Sequence, residues 1–264
     1  MLMKIAKDDG SVIWGDDPAV SGPRNWFRQT LMIREIILRV KKGAYILDVG
    51  CGGGELIIRL GKSGYRGIGI DNARGCVTYT QACIQKEGLR SIVGSRRADI
   101  IHLPFADGAF DAVTCGEVLE HLDNDARAVH EILRVLKPGG HCVVTVPADP
   151  SAWDEMDDIS SHVRRYSKEM LISLFVDAGA SIVLCKHWGF PFNELWHRYL
   201  FLPFMKQKIA GGKNITSSES LGSTLMKSPF VKRCISMIFS FDNLFDTTNK
   251  GKALLCVVQK KGRA

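Results

Sequence analysis

The sequence contains no CxxC pair, although it has eight cysteines. Thiols at that spacing are typical of zinc sites and redox motifs, so the scattered cysteines predict buried, reduced thiols instead of a metal site or a disulfide framework. No internal repeat or low-complexity tract is present. The composition, with 45% hydrophobic and 24% charged residues, is close to the average of globular proteins and argues against disorder or a fibrous repeat.

Long apolar runs are also missing. No stretch reaches the roughly 18 apolar residues that a membrane-spanning helix needs, and the first residues, MLMKIAKDDGSV, lack the apolar core of a signal peptide. These absences predict a cytoplasmic location. The length of 264 residues fits one α/β domain with an added lobe.

Excess positive charge is absent from most of the chain. The whole sequence has 35 Lys and Arg against 28 Asp and Glu, a net charge of +7. From Gly189 onward there are 12 basic and 4 acidic residues, so this part carries +8 and residues 1–188, with 23 against 24, carry −1. The asymmetry indicates an anionic partner such as phosphate, an acidic membrane surface or nucleic acid. An ordinary solvated surface is the alternative.

Short apolar runs alternate with segments of helical periodicity. Apolar spacing predicts a leading helix over Trp26–Val40. Strands are predicted at YILDVG, RGIGID, FDAVTC, GGHCVVTVP, SIVLCKH and ALLCVVQK, and further helices over Glu55–Lys62, Arg74–Lys86, Asp125–Leu136 and Lys168–Ala178. The alternation predicts an α/β fold with a largely parallel, Rossmann-like sheet, helices on both faces and a ligand crevice at the carboxyl ends of the strands.

This alternation breaks after HWGFPFN. Residues 190–245 are rich in aromatic side chains with interleaved Lys and Arg, and they contain AGGKNITSSESLGS, which predicts a flexible link. We therefore expect a core over residues 1–188, a helical insertion or lid over 189–250, and a final core strand over 251–264. The insertion is suited to peripheral membrane contact through residues 189–245 or to closure over an apolar acceptor. A cap that packs on the sheet domain is the alternative.

Glycines replace larger residues where the first core strand, in ILDVGCGGGE, should lead into a helix. Gly50, Gly52 and Gly54 leave backbone N–H groups open to a polar or anionic ligand. Asp71 ends the next strand about 20 residues later, where an acid can accept both hydroxyls of a ribose. Asp99 follows a third short segment and is placed to accept from an adenine amino group. For each residue taken singly, a tight turn or a capping acid is the alternative.

A dinucleotide fingerprint would require GxGxxG, but Glu55 occupies the position of the third glycine. With ILDVGCGGGE, GIGIDNA, ADIIHLPFADGAFDAVTCGEVLEHL and ILRVLKPGGHCVVTVP in this order, the chain resembles the class I S-adenosylmethionine (SAM)-dependent methyltransferases over about Trp26–Lys186. The resemblance, which includes the ubiquinone-pathway enzymes, implies a seven-stranded sheet whose seventh strand is antiparallel.

The same resemblance implies the SAM contacts. Gly50 and Gly52 would pack on the methionine part, Asp71 on the ribose, and Asp99 on the adenine. Asp48 would hold the glycine loop and is a candidate for the ligand's amino group. The complete implied set is Asp48, Gly50, Cys51, Gly52, Asp71, Asn72, Asp99, Ile100 and Glu117.

A second group of polar residues follows the fourth strand. EVLEHL spaces Glu117, Glu120 and His121 at i, i+3 and i+4, which a helix would place on one face. His162 follows the fifth strand and returns to the same crevice. Two carboxylates and imidazoles suit a divalent cation such as Mg, Mn, Fe or Zn. The set resembles the metal ligands of small-RNA 2′-O-methyltransferases and ubiquinone-pathway O-methyltransferases, where a metal would lower the pKa of an acceptor hydroxyl. A metal-free site, with Glu117 lining the donor pocket, is the alternative.

The segment HVRRYS resembles a group of bacterial methyltransferases that accompany the synthesis of glycans or lipid-linked sugars. Arg164, Arg165 and Tyr166 are candidates for binding an acceptor phosphate or carboxylate, because Arg offers a bidentate fork. Pairing of these residues with Asp157 and Asp158 is an equally open alternative.

These features together predict methyl transfer from SAM to a hydroxyl oxygen of a small or lipid-linked molecule. His121, His162 and Glu120 are the catalytic candidates, and Trp26 joins Arg165 and Tyr166 as a candidate acceptor contact. A metal-independent N- or C-methyltransferase and a SAM-binding protein without catalysis are the alternatives. Without a basic tract, an RNA-binding module or an NPPY signature, nucleic acid is not an expected partner. The sequence indicates neither the acceptor nor the oligomeric state.

Overall fold

The computed structural model describes residues 4–6, 12–14, 22–201, 203, 228–245 and 248–262. The predicted flexible link, residues 210–223, lies outside this part. Strands β1 (Lys4–Ala6) and β2 (Val12–Trp14) pair as a separate antiparallel sheet. None of the described helices combines the length and apolar character needed to cross a membrane.

The main sheet has seven strands in the order β5-β4-β3-β6-β7-β9-β8. Strands β3 to β7 are mutually parallel where they pair, and β9 is antiparallel to both β7 and β8. This confirms the predicted fold, including the antiparallel last strand. The bounds are β3 Tyr45–Val49, β4 Arg66–Asp71, β5 Val93–Arg97, β6 Phe110–Gly116, β7 Leu136–Pro147, β8 Ala180–Trp188 and β9 Ala253–Lys260. Strand β5 reads VGSRR and was not among the predicted strands because it lacks an apolar run.

Helices cover both faces of this sheet, as predicted. One core cluster joins the sheet to Ile132 and Phe175, and another joins the opposite face to Ile36 and Ile57. The helices are α1 Pro23–Arg39, α2 Glu55–Lys62, α3 Arg74–Lys86, α4 Asp125–Val135, α5 Glu155–Ser160, α6 Lys168–Asp177, α7 Phe192–Trp196 and α8 Pro229–Ser240. Shorter turns span Leu119–His121, Pro150–Ala152, His197–Phe201 and Phe241–Phe245.

Helix α1 begins at Pro23, three residues before the predicted start, because a proline at the first helical position needs no N–H partner. Helices α7 and α8 pack beside it. The ring centroid of Phe239 lies 5.9 Å from that of Phe27 and 5.9 Å from that of Trp196. The leading helix and the described part of the insertion therefore flank the same side of the sheet.

Candidate active site

The turn between β3 and α2 is built from glycines in the left-handed region. The φ angles of Gly50, Gly52 and Gly54 are 64°, 51° and 74°, values that residues with a Cβ atom rarely adopt. A Cβ on Gly50 would lie 2.4 Å from Cγ2 of Val118, whereas a Cβ on Gly52 would meet nothing within 4 Å. The turn is therefore packed against Val118 at Gly50 and open at Gly52.

Asp71, at the end of β4, holds this turn. Its Oδ2 accepts the Gly52 N–H at 2.9 Å, and its Oδ1 accepts the Ala73 N–H at 2.9 Å. Burial raises the pKa of Asp71, and the backbone hydrogen bonds oppose that rise. The hydroxyl of Thr80 donates to the Gly52 carbonyl at 2.9 Å, so both polar groups of the Gly52 backbone are engaged.

Asp48 does not hold the glycine turn, contrary to prediction. Its Oδ1 accepts from the Thr114 hydroxyl at 2.8 Å on the neighbouring strand, because side chains at paired positions of adjacent strands face the same side. Its Oδ2 is buried and has no hydrogen-bond partner in the described part of the chain. Burial raises the pKa of Asp48 to about 7, opposed by Thr114 and by the charge of Arg28.

The adenine candidates lie along the carboxyl edge of β4 and β5. Asp99 accepts the Ile101 N–H at 3.1 Å, and Ile100 is buried. Asn72 is exposed and its carbonyl accepts from Arg97 Nε at 2.9 Å. Cys51 belongs to the same edge. Its N–H donates to the Ile70 carbonyl at 2.9 Å, and burial raises the pKa of its thiol.

The EVLEHL segment is not the helix that its spacing predicts. Glu117 has a φ of 59°, a strained value for a residue with a side chain, and its N–H donates to the Thr145 carbonyl at 2.8 Å. Only Leu119–His121 form a helical turn, of the 3-10 type. The left-handed exit from β6 therefore separates Glu117 from the other two residues. Its Oε1 instead lies 3.6 Å from Nη1 of Arg28.

Glu120, His121 and His162 are brought together, with one potential metal-ligand atom from each lying within 4.8 Å of the others. Glu120 is fully buried, and neither of its oxygens has a hydrogen-bond partner in another described residue. Burial raises the pKa of Glu120 to about 8. Burial, and then the neighbouring His162, lower the pKa of His121 to about 4. The imidazole of His121 is therefore neutral at neutral pH.

His162 is oriented by Asp157. Its Nδ1 lies 2.7 Å from Oδ1 of Asp157, and its ring centroid lies 4.8 Å from that of His121. Burial would raise the pKa of Asp157, but hydrogen bonds from His162 and Arg165 hold it well below its ordinary value. With a carboxylate on Nδ1, the Nε2 atom of His162 is the nitrogen left to take up a proton.

Arg165 and Tyr166 are committed within the protein, and the structure does not place them as acceptor contacts. Arg165 is buried, with its Nε 2.9 Å and its Nη2 2.6 Å from Asp157 Oδ2. The buried Tyr166 hydroxyl donates to Asp125 Oδ2 at 2.7 Å. Arg164 Nη1 also bonds Asp125, at 2.8 Å. The acid-pairing alternative thus holds for Arg165 and Asp157, because burying a guanidinium requires a counter-charge.

Trp26 lies between cationic side chains of two helices. The Arg59 guanidinium carbon is 4.0 Å from the centroid of its ring, and the Lys232 Nζ is 5.7 Å away. Lys232 also bonds Glu55 at 3.1 Å. These contacts join α1, α2 and α8, and they use the aromatic face that was expected to receive an acceptor.

Arg28 of α1 belongs to the site and was not predicted. Arg28 forms an ion pair with Glu117. Burial lowers the pKa of Arg28 to about 10, and the charges of Glu120 and Asp48 oppose that change. Arg24 lies one helical turn earlier. The sequence signal was available, because both arginines interrupt the apolar face that includes Phe27 and Leu31.

Residues 47–144 match the family model of a methyltransferase domain. The chain is similar to a demethylmenaquinone methyltransferase of Lactiplantibacillus plantarum, with 34% identity over 48% of this chain and 53% of the relative. It is also similar to a ubiquinone biosynthesis O-methyltransferase of Alkalilimnicola ehrlichii, with 36% identity over 42% of this chain and 45% of the relative. The chain thus spans about half the length of these curated relatives.

The fold is similar to that of the cyclase SpnF, with a TM-score of 0.64, 23% identity, and coverage of 100% of this chain and 88% of that structure. At this identity the likeness concerns the fold alone. The match of residues 47–144 to the methyltransferase model and the seven-stranded sheet together confirm the predicted resemblance to class I SAM-dependent methyltransferases.

Proposed function

We propose that this chain, which carries a methyltransferase domain over residues 47–144, binds SAM and transfers its methyl group to a hydroxyl oxygen of a small or lipid-linked acceptor. The observation that carries the proposal is the left-handed glycine turn, tied to Asp71 through the Gly52 N–H at 2.9 Å. The menaquinone and ubiquinone pathway names of the relatives support a small acceptor of the quinone type.

The residues at this edge of the sheet fit SAM. The open side of Gly52 leaves room for a ligand beside the main chain. Buried acceptor atoms without a hydrogen-bond partner, Asp48 Oδ2 and Glu117 Oε1, suit the ammonium group of its methionine part, because unsatisfied buried acceptors are costly until a donor arrives. Each oxygen of Asp71 accepts one N–H and keeps a lone pair for a ribose hydroxyl.

When bound, SAM supplies a methyl group on a sulfonium, which is electrophilic without further activation. The protein's share is to align the acceptor and remove its proton. His162 fits that role, since Asp157 orients its Nδ1 and leaves Nε2 for the hydroxyl proton. The transfer forms a carbon–oxygen bond, breaks the carbon–sulfur bond and leaves the proton on His162. The Asp157 carboxylate, 2.7 Å away, stabilises the resulting imidazolium.

A divalent cation is a second candidate for activating the hydroxyl. Glu120, His121 and His162 offer one carboxylate and two imidazoles with ligand atoms within 4.8 Å. The observation favouring a metal is the fully buried Glu120, whose oxygens lack hydrogen-bond partners in other described residues. A cation there would lower the pKa of a coordinated hydroxyl and would occupy His162.

The test is a methyl-transfer assay with labelled SAM over metabolite and lipid extracts, with and without chelator. We expect a labelled methyl ether from the wild type, and at least about a hundredfold slower labelling by His162→Gln with SAM binding retained. Labelling of a nitrogen or carbon would move the proposal to the N- or C-methyltransferase alternative. SAM binding without any product would favour a non-methylating protein, an alternative that the cyclase fold neighbour keeps open. Calorimetry showing no SAM binding by the wild type would overturn the proposal.

A further inference from the structure

A group of buried polar atoms lies outside the residues assigned to SAM or to the proton transfer. Arg24 Nε, Trp188 Nε1, Asn193 Nδ2 and His197 Nδ1 are all buried and have no hydrogen-bond partner in the described chain. The exposed fractions of Trp188, Asn193 and His197 are 3%, 2% and 7%. Buried N–H groups without acceptors cost free energy, so several of them at one place need an explanation.

These groups come from α1, the end of β8 and α7. A Cβ on Gly189, which follows Trp188, would lie 3.4 Å from Asn193, and burial, then the charge of Arg24, lower the pKa of His197 to about 4, so the four residues are neighbours. The Arg24 guanidinium carbon lies 5.5 Å from the centroid of the Trp188 ring. Asn193 and His197 are one helical turn apart, and the His197 N–H donates to the Asn193 carbonyl, so their side chains share one face of α7. Nε2 of His197 lies 3.7 Å from Oδ2 of Asp154.

The charged side chains around these groups leave Arg24 without a counter-ion. Asp154 also lies 3.4 Å from Arg165 and 3.4 Å from Lys252, and Asp157 is paired with Arg165. Asp242 Oδ2 accepts the backbone N–H of Asn193 at 3.1 Å, whereas the guanidinium of Arg24 forms no ion pair with a carboxylate in the described part of the chain. Burial, and then the charge of Arg165, lower the pKa of Arg24 to about 10. An added negative charge would therefore be favoured here.

An oxyanion supplies both the missing hydrogen-bond acceptors and a negative charge beside Arg24, and a water molecule does not. The unpartnered atoms of Arg24, Trp188 and Asn193 are N–H donors. A carboxylate or a phosphate offers four or more acceptor sites and the missing negative charge, whereas one water accepts two hydrogen bonds and adds no charge. His197, whose pKa burial and then the charge of Arg24 lower to about 4, completes the group as a neutral imidazole. Its Nδ1 is an acceptor for a hydroxyl in one tautomer and a fourth donor in the other.

We propose that Arg24, Trp188, Asn193 and His197 form a subsite for an oxyanion group, carboxylate or phosphate, carried by the acceptor. The inference rests on the proposed function, because it gives the acceptor a second point of attachment. Successive polar contacts connect this subsite to the catalytic candidate His162. His197 contacts Asp154, Asp154 contacts Arg165, Arg165 pairs with Asp157, and Asp157 contacts His162. The acid-recognition role predicted for Arg165 and Tyr166 thus passes to residues of α1, β8 and α7.

Calorimetric titration of the full chain with inorganic phosphate and, separately, with benzoate tests the subsite, at constant ionic strength and with S-adenosylhomocysteine present. We expect at least one of the two anions to bind the wild type. Arg24→Gln should weaken that binding about tenfold to a hundredfold, the loss of one charge-assisted hydrogen bond. The matched control is Arg34→Gln, since Arg34 is exposed on the same helix, and its affinity should equal that of the wild type.

Equal weakening in both variants would show an adventitious ion only, and no binding of either anion by the wild type would also overturn the subsite. If Arg24→Gln does not fold, Asn193→Ala, which removes a neutral donor, should weaken binding about threefold to tenfold. SAM titration of the wild type separates the two proposals. Anion binding without SAM binding would leave the subsite and remove the methyltransferase, whereas SAM binding without anion binding would do the reverse.

Discussion

Asp71 accepts the Gly52 N–H at 2.9 Å and thereby joins the end of β4 to the turn that follows β3. The same carboxylate accepts the Ala73 N–H at the start of α3. One side chain therefore orders two neighbouring loops at the carboxyl edge of the sheet. Because a Cβ on Gly52 would meet no atom within 4 Å, the ordered turn leaves an open surface of main chain at this edge.

Gly52→Ala should abolish SAM binding without a matching loss of stability. A Cβ at Gly52 meets no protein atom within 4 Å, so the folding cost is that of a left-handed alanine, about 1 to 2 kcal/mol. Gly88→Ala is the control, since Gly88 also has a positive φ, 68°, and open surroundings. Urea unfolding should show similar losses in the two variants, while calorimetry shows SAM binding only in Gly88→Ala. Equal SAM affinity in both would place the ligand elsewhere.

The glycine turn after β3 and Asp71 at the end of β4 were predictable because each lies at the end of a predicted strand, and parallel strands bring their carboxyl ends to one edge. Glu117 was not predictable in the same way. Its spacing to Glu120 indicates a helix, but the N–H of Glu117 bonds the Thr145 carbonyl and the chain leaves β6 in a left-handed conformation. Such a reversal depends on the neighbouring strand, which spacing along the chain does not reveal.

Pairing of buried charges was equally hidden. The residues of HVRRYS carry no local sign of which arginine faces an acid, and the structure buries Arg165 on Asp157 while Arg164 bonds Asp125. The arginines of α1 belong to no motif, and the periodicity of the helix is set by its apolar positions.

Asp157→Asn should lower the free energy of unfolding by about 3 to 5 kcal/mol, the usual cost of leaving a buried charge without its partner. Arg165 would lose its closest carboxylate, at 2.6 Å. Asp158→Asn, on the same helix but exposed, should change stability by less than about 0.5 kcal/mol. Urea unfolding of both variants measures the difference. Similar small changes would mean that Asp154 alone compensates Arg165.

The buried carboxyl of Asp48 should make stability fall as pH rises. Burial raises the pKa of Asp48 to about 7, above the value of about 3.9 in an unfolded chain. Between these values the folded state keeps a proton that the unfolded state has released, so the free energy of unfolding decreases with pH. When the pH rises from about 5 to about 7, the free energy of unfolding of the wild type should therefore decrease by about 2 to 3 kcal/mol more than that of Asp48→Asn.

Urea unfolding at several pH values measures this difference. Asp123→Asn is the control, since Asp123 is exposed and its removal should leave the pH profile unchanged. A wild-type profile parallel to that of Asp48→Asn would mean that Asp48 is ionised throughout this range, with Arg28 neutralising it.

Titration with Mn²⁺ or Zn²⁺ tests the proposed cation site. We expect binding by the wild type and at least about a tenfold loss of affinity in Glu120→Gln, because an amide oxygen is a weaker ligand than a carboxylate. Glu87→Gln, at an exposed position, is the control for charge alone. Should the wild type bind neither metal, or the two variants bind equally, the metal would be removed and His162 would remain as the base.

Helix α8 and the turn after it expose a row of large apolar side chains, which we propose as a contact for an acidic lipid surface. Phe230, Met237, Phe241 and Leu244 are 74%, 68%, 57% and 76% exposed and recur at helical spacing. The chain from Gly189 onward carries +8, which suits anionic headgroups.

The wild type should sediment with vesicles of phosphatidylglycerol more than with vesicles of phosphatidylcholine. Phe230→Ser combined with Leu244→Ser should reduce that binding about tenfold or more, since each buried side chain of this size contributes about 1.5 to 3 kcal/mol. Leu38→Ser, on α1 and 63% exposed, is the control and should bind as the wild type does. If the wild type stays in the supernatant with both lipids, or the double variant sediments equally well, the exposed row serves another partner or none.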